Sequence, residues 1–220
     1  KQLSFVQPIN LRELIIGLNE PSHEVSIPYV KIMKNWENDK EQTEETTFSG
    51  IGILSKDGVK GFITDSSARG NQWMNEETSR GEVTIKIEGG ERDYLTIDLD
   101  HLNLEVKPIV NKNNQVQFEV DIKIQGILNG FKGKITTDEV RKNIAKQIEK
   151  EIKETYQEGL KLDADVYRLS EYLYRSNVKV WKKIEHNGKI PLTEDSISKI
   201  NVHVNKINPG RKTFDETIEE

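Results

Sequence analysis

Val116-Gln117-Phe118-Glu119-Val120-Asp121-Ile122-Lys123-Ile124 is the stretch on which the fold class turns. Every second side chain is apolar and every intervening one is polar. Successive strand residues point to opposite faces, so this run predicts a strand with one dry face and one wet face. The same alternation lies upstream. Val83, Ile85 and Ile87 oppose Thr84, Lys86 and Glu88, and Gly89-Gly90 makes the turn. Leu95, Ile97 and Leu99 follow, then Leu102, Leu104 and Val106, and Asn111-Lys112-Asn113-Asn114 connects them to the quoted strand. Strands patterned this way form an antiparallel sheet covered on one side.

Downstream the period changes. Thr136 and Glu139 have the spacing of a capping box. Val140, Ile144, Ile148, Ile152 and Tyr156 then recur every four residues, one apolar stripe along a long helix. Glu149 and Lys153 are placed for an i,i+4 ion pair, and Gly159 marks the expected end. A second helix is expected to begin near Asp163 or Asp165 and to carry Val166, Leu169 and Leu173. A short element over Val178–Ile184 contains Trp181. Ile200, Val202 and Val204 predict a last amphipathic strand, stopped by Pro209-Gly210, and the acidic tail 214–220 is expected to fray.

Upstream of the sheet, Phe48–Leu54 and Val59–Ile63 flank Ser55-Lys56-Asp57-Gly58, a hairpin signal. A short helix is expected over 65–75, capped by Asp65 or Ser66. Residues 1–42 read as a separate piece: a strand end at Leu3–Val6, a short helix over 10–17 capped by Asn10, and an apolar run Val25–Met33. Pro28 confines that run to a sheet edge. The almost wholly polar stretch 35–45 reads as a linker. The expected organisation is therefore the end of a preceding domain plus linker over 1–42 and one C-terminal domain over 43–220. The fold class is α+β: a mostly antiparallel sheet with long helices packed on one face. Alternating βα units are absent, which argues against a doubly wound nucleotide fold.

Composition narrows function by exclusion. The 220 residues include no cysteine, so disulfides, thiolate zinc sites and cysteine nucleophiles are ruled out within them. With 32 basic against 37 acidic side chains the net charge is −5, which disfavours a nucleic-acid partner. The chain starts at Lys1 and not at Met, so it reads as a processed protein or a piece of a longer one.

Few residues suggest chemistry. His23, His101, His186 and His203 lack helical metal-ligand spacing to one another. Asp98-Leu99-Asp100-His101 resembles a hard-metal or acid–base cluster, and equally the polar face of a strand entering a turn. Gly50-Ile51-Gly52 lies inside a strand, where close backbone approach or a bulge explains it better than phosphate binding. Glu44-Glu45 and Glu76-Glu77 read as solvated loop carboxylates. Lys179, Lys182 and Lys183 surround Trp181, a combination suited to a membrane interface or a partner contact. The competing reading buries Val178, Trp181 and Ile184 at three-residue spacing, and Trp73 invites a core reading in the same way.

The order of these elements resembles the Ger(x)C family, the C subunits of spore germinant receptors. The resemblance runs over about residues 46–212. It comprises the hairpin Phe48–Phe62, the segment Ala68-Arg69-Gly70-Asn71-Gln72-Trp73-Met74, Gly81 and the meandering strands. The long charged helix, Asp165-Val166-Tyr167-Arg168-Leu169, Trp181-Lys182-Lys183 and a final strand ending at Gly210 complete it. The family's lipid-modified cysteine does not occur in the chain, and polar Asn71 and Gln72 stand where the family tends to be apolar. The resemblance implies a lipoprotein on the outer face of the spore inner membrane, anchored through a cysteine upstream of Lys1. It would act with membrane-spanning A and B subunits in nutrient-triggered germination, without enzymatic activity or cofactor. Candidate partner-contact residues are Arg69, Trp73, Lys179, Trp181, Lys182 and Lys183. The alternative is a small metal-dependent hydrolase using Asp98, Asp100 and His101.

Overall fold

The computed structural model describes residues 8–38, 41–75, 81–86, 94–112, 115–129, 135–209 and 218–219. The expected strand end at Leu3–Val6, the Glu76-Glu77 loop, the Gly89-Gly90 turn, Asn113-Asn114 and Gly210 lie outside them. The chain divides into two compact units. One comprises Lys1–Asn71 and Glu154–Thr193, the other Gln72–Lys153 and Glu194–Glu220.

The first unit opens with helix α1 (Leu11–Asn19). Asn10 caps it as expected: its Oδ1 accepts from Glu13 N at 3.0 Å while Glu13 Oε2 accepts from Asn10 N at 3.3 Å. Strands β1 (Glu24–Asn38), β2 (Glu41–Ser55) and β3 (Gly58–Thr64) form an antiparallel sheet in that order. β1 is an edge strand, the position Pro28 demands. The linker reading of 35–45 is corrected: Trp36 pairs with Thr43, Glu37 with Gln42 and Asn38 with Glu41, so the hairpin ladder runs through it.

Within β2 a bulge opposite Tyr29 and Val30 leaves Ser49 between Gly50 and Phe48. Gly50 takes a φ of 151°, and a Cβ there would fall 2.1 Å from the Ile63 carbonyl oxygen. Close approach and a bulge thus both account for Gly50. The segment Asp65–Met74 is a 3-10 helix.

The same unit holds the last turns of α2 (Thr137–Lys161), then α3 (Leu169–Ser176) and α4 (Val178–Ile184). Two boundaries differ from expectation. α2 continues two residues past Gly159, whose carbonyl then accepts from Leu162 N and Ala164 N. α3 starts after Val166, because Asp165 caps it from a distance: Oδ1 accepts from Leu169 N at 2.7 Å and Oδ2 from Ser170 N at 2.8 Å.

The second unit is built on a four-stranded sheet of β4 (Glu82–Lys86), β5 (Tyr94–Val110), β6 (Val116–Asn129) and, after β7 (Ile135–Thr136), β8 (Ile197–Pro209). The order is β4-β5-β6-β8. The first three strands are antiparallel, and β8 runs parallel to β6. The alternation predicts the inward face: Val83, Ile85, Leu95, Ile97, Leu102, Leu104, Phe118, Val120, Ile122 and Ile124 are buried. Val140, Ile144, Ile148 and Ile152 of α2 are buried in the same unit and complete its core.

The capping box at the start of α2 forms, with Thr136 Oγ1 accepting from Glu139 N and Glu139 Oε2 accepting from Thr136 N. The two apolar runs of β5 are out of phase by one residue, and a bulge between Leu99 and His101 absorbs the slip. Gly126 pairs there. A Cβ at Gly126 would meet Ile97 Cγ2 at 2.6 Å and the Asp98 carbonyl oxygen at 2.9 Å. The expected fraying of the tail is corrected at Ile218–Glu219 (β9), which pairs with β7. The architecture is α+β with antiparallel-rich sheets, divided between two units where the sequence suggested one sheet.

Candidate partner-contact surface

α4 is a two-turn helix set by its cap. Asn177 closes α3 by donating its N–H to Leu173 O at 2.7 Å, and its Oδ1 accepts from Val180 N at 3.1 Å. At about 100° per residue, Lys182, Lys179 and Lys183 fall within about 100° of arc, with Val178 beside them. The buried side is the opposite one. Val180 is buried while Trp181 and Ile184 are half-buried. The expected buried face is thereby corrected: Val178 is 39% exposed, and Val180 occupies the position assigned to it. Spacing by threes falls behind the 3.6-residue period, so Val178 rotates out.

Trp181 lies about 100° round the helix from Lys182, toward the inward side. Its ring meets exposed Tyr174 of α3 edge-on, with centroids 5.0 Å apart and planes at 77°. The indole Nε1 is covered and has no hydrogen-bond partner among the described residues. Lys60, Lys107, Lys153, Lys161 and Lys189 each reach a carboxylate. Among the described residues Lys179, Lys182 and Lys183 make no such pair and are exposed.

The other two candidates lie on the 3-10 helix. Trp73 is completely buried, and its Nε1 donates to Glu151 Oε2 at 2.7 Å. It offers no surface to a partner; the core reading holds for it. Glu151 accepts from Gln147 Nε2 at 2.9 Å as well. Arg69 is half-buried, and beside it Gly70 N donates to Thr155 Oγ1 at 2.9 Å. Gln72, where an apolar residue was expected, is buried and reaches the Glu82 carbonyl at 3.4 Å.

Asp98, Asp100 and His101 are all exposed at the β5 bulge. The bulge breaks the period-two relation that put both aspartates on one face. Among the described residues no group of three or more His, Asp or Glu side chains could hold a metal. His203 is exposed on β8, as its position between two valines predicts, and His23 packs over Gly188.

Sequence reasoning missed an ionic cluster in the first unit, buried at Glu24 and Asp165 and exposed at Asp163. Glu24 of β1, 4% exposed, accepts from Lys60 Nζ of β3 at 2.8 Å and from Asp165 N at 2.6 Å. Lys189 Nζ lies 3.6 Å from Glu24 and 2.9 Å from Asp163 Oδ2. The hydrogen bond from Lys189 holds the Asp163 carboxyl below its ordinary range. Burial raises Asp165, against the opposing bonds from Ser170 and Leu169. Burial alone would lower Lys189, but Asp163 and Glu24 outweigh it and the net direction is up. These groups are satisfied by one another, which makes the cluster a tie between β1, β3 and the α2–α3 connection.

The fold is α+β, and α4 presents three exposed lysines on the side away from its buried Val180. Residues 49–210 match the family described as spore germination B3/GerAC like, C-terminal. The chain belongs to that family, the Ger(x)C type of germinant receptor C subunit that its sequence resembles. Among solved structures, the crystal structure of the GerBC protein is similar with a TM-score of 0.67 at 15% identity. The similarity covers 93% of this chain and 61% of that one, so the chain spans less than two thirds of the GerBC protein. No curated protein matches the chain.

Proposed function

We propose that the chain is the extracytoplasmic, non-catalytic part of a germinant receptor C subunit, which docks with membrane-spanning A and B subunits and helps couple nutrient sensing to germination. The observation that carries this reading is the family match over residues 49–210. The protein would sit on the outer face of the spore inner membrane, held by a lipid on a cysteine upstream of Lys1. No described helix is long and apolar enough to cross a membrane. The family match begins at residue 49, whereas the compact unit that holds β2 and β3 also takes in residues 1–42. The lysines of α4 are the exposed members of the candidate contact set, and Arg69 and Trp181 are half-buried.

The test is co-purification. A tagged full-length protein, extracted from spore membranes in mild detergent, should bring down two membrane-spanning subunits, and spores lacking it should lose a nutrient response. Recovery of the tagged protein by itself, with an unchanged nutrient response, would defeat the reading.

A further inference from the structure

We propose that α4 seats against an anionic lipid surface, with Lys179, Lys182 and Lys183 among the headgroups and Trp181, Tyr174 and Val178 at the polar–apolar boundary. The charge argument comes first. The chain as a whole is acidic, at −5, yet residues 178–184 carry three lysines and no carboxylate. Among the described residues none of those lysines is neutralised by an ion pair, while lysines elsewhere are. The ammonium groups share about 100° of the helix surface, so one negatively charged plane meets all three.

The side chains on the flank choose between acidic partners. Val178, 39% exposed, stands about 40° from Lys182 on the helix, and half-buried Trp181, packed edge-on against 38%-exposed Tyr174, carries the apolar rim round toward α3. Trp and Tyr favour the headgroup level of a bilayer, and lysine stems lie along apolar surface while their ends stay in the polar layer. Recognition of an acidic peptide favours arginine, whose planar fork fixes carboxylates bidentately. Lysines are mobile point charges, suited to a diffuse layer of anions. Each lysine near such a surface strengthens partitioning roughly fivefold, so three give about a hundredfold. That is weak, reversible binding, fit for orienting a protein otherwise tethered at the membrane.

The inference rests on the proposed function for a membrane within reach, but its test needs no receptor. The 220-residue chain is sedimented with vesicles of phosphatidylcholine alone and of phosphatidylcholine mixed with phosphatidylglycerol. Binding is expected to the mixed vesicles at low salt. It should be lost as salt shortens the screening length toward about 3 Å at 1 M. Tryptophan emission should shift to shorter wavelength on binding, and W181F should remove that shift. The variant K179E/K182E/K183E should bind at least about a hundredfold more weakly, with an unchanged circular dichroism spectrum and melting temperature. Equal binding to neutral vesicles, undiminished binding by the triple variant, no binding, or preference for polyglutamate over acidic vesicles would each overturn the inference. Co-purification of receptor subunits with vesicles unbound would overturn this inference and leave the proposed function standing.

Discussion

Asp165 shows what a single buried carboxylate does for the first unit. It accepts from two backbone N–H groups that open α3, and its own N–H is held by Glu24. Asp165→Ala strands both donors in a buried place, at roughly 1–3 kcal/mol per unmet group. A loss of about 2–4 kcal/mol in denaturant unfolding is the expected outcome, and Asp165→Asn, which keeps one acceptor, should lose less. Trp73→Phe removes the donor to buried Glu151 and should cost about 1–3 kcal/mol by the same measurement.

The pH dependence follows from directions. Asp163 is held low, so its charge stabilises the fold above about pH 4 and that contribution fades as pH falls through the folded value. Lys189 is held high, so its contribution is present below about pH 10.4 and fades above. Asp165 is raised and acts in the opposite sense, favouring the fold as pH falls. Asp163→Asn should therefore flatten the acid side of a melting-temperature profile. A profile identical to wild type would contradict the assignment. None of this cluster was legible beforehand. Glu24 and Asp165 stand 141 positions apart, and Lys60 and Asp163 stand 103 apart. Side-chain meetings at that range are set by tertiary packing and leave no local pattern.

Whether an element could be read depended on whether burial enforced its period. β6 from Phe118 onward and the stripe of α2 each have one dry face, and their sequences announce it. The β1–β2 ribbon was read as a linker over 35–45, where the sequence does not alternate. Ladder hydrogen bonds carry a strand there without asking for apolar side chains. α4 failed for another reason: over seven residues, a period of three and one of 3.6 differ by too little to choose between Val178 and Val180. The bulge in β5 absorbs the slip between Leu99 and Leu102, and Gly126 pairs with Leu99 beside it. Gly126→Ala should cost about 1–3 kcal/mol, since the added methyl meets Ile97 and the Asp98 carbonyl. A neutral change would contradict the close approach.

At the scale of the molecule, the order of elements was legible and the division into units was not. The first unit is discontinuous, joining residues 1–71 to 154–193. A boundary sought along the chain by composition cannot reveal segments that meet only in space. The family could be reached from element order because 49–210 hold the matched region in one run. The candidate surface was half legible: the lysines, Trp181 and the core reading of Trp73 came from sequence, while the exposure of Val178 came from the fold. The central claim is that this chain works as the C subunit of a receptor assembly. The most direct test is affinity purification of the tagged full-length protein from spore membranes. The account predicts that two membrane-spanning subunits accompany it; a tagged protein recovered without them, from spores whose nutrient response survives its deletion, would contradict it.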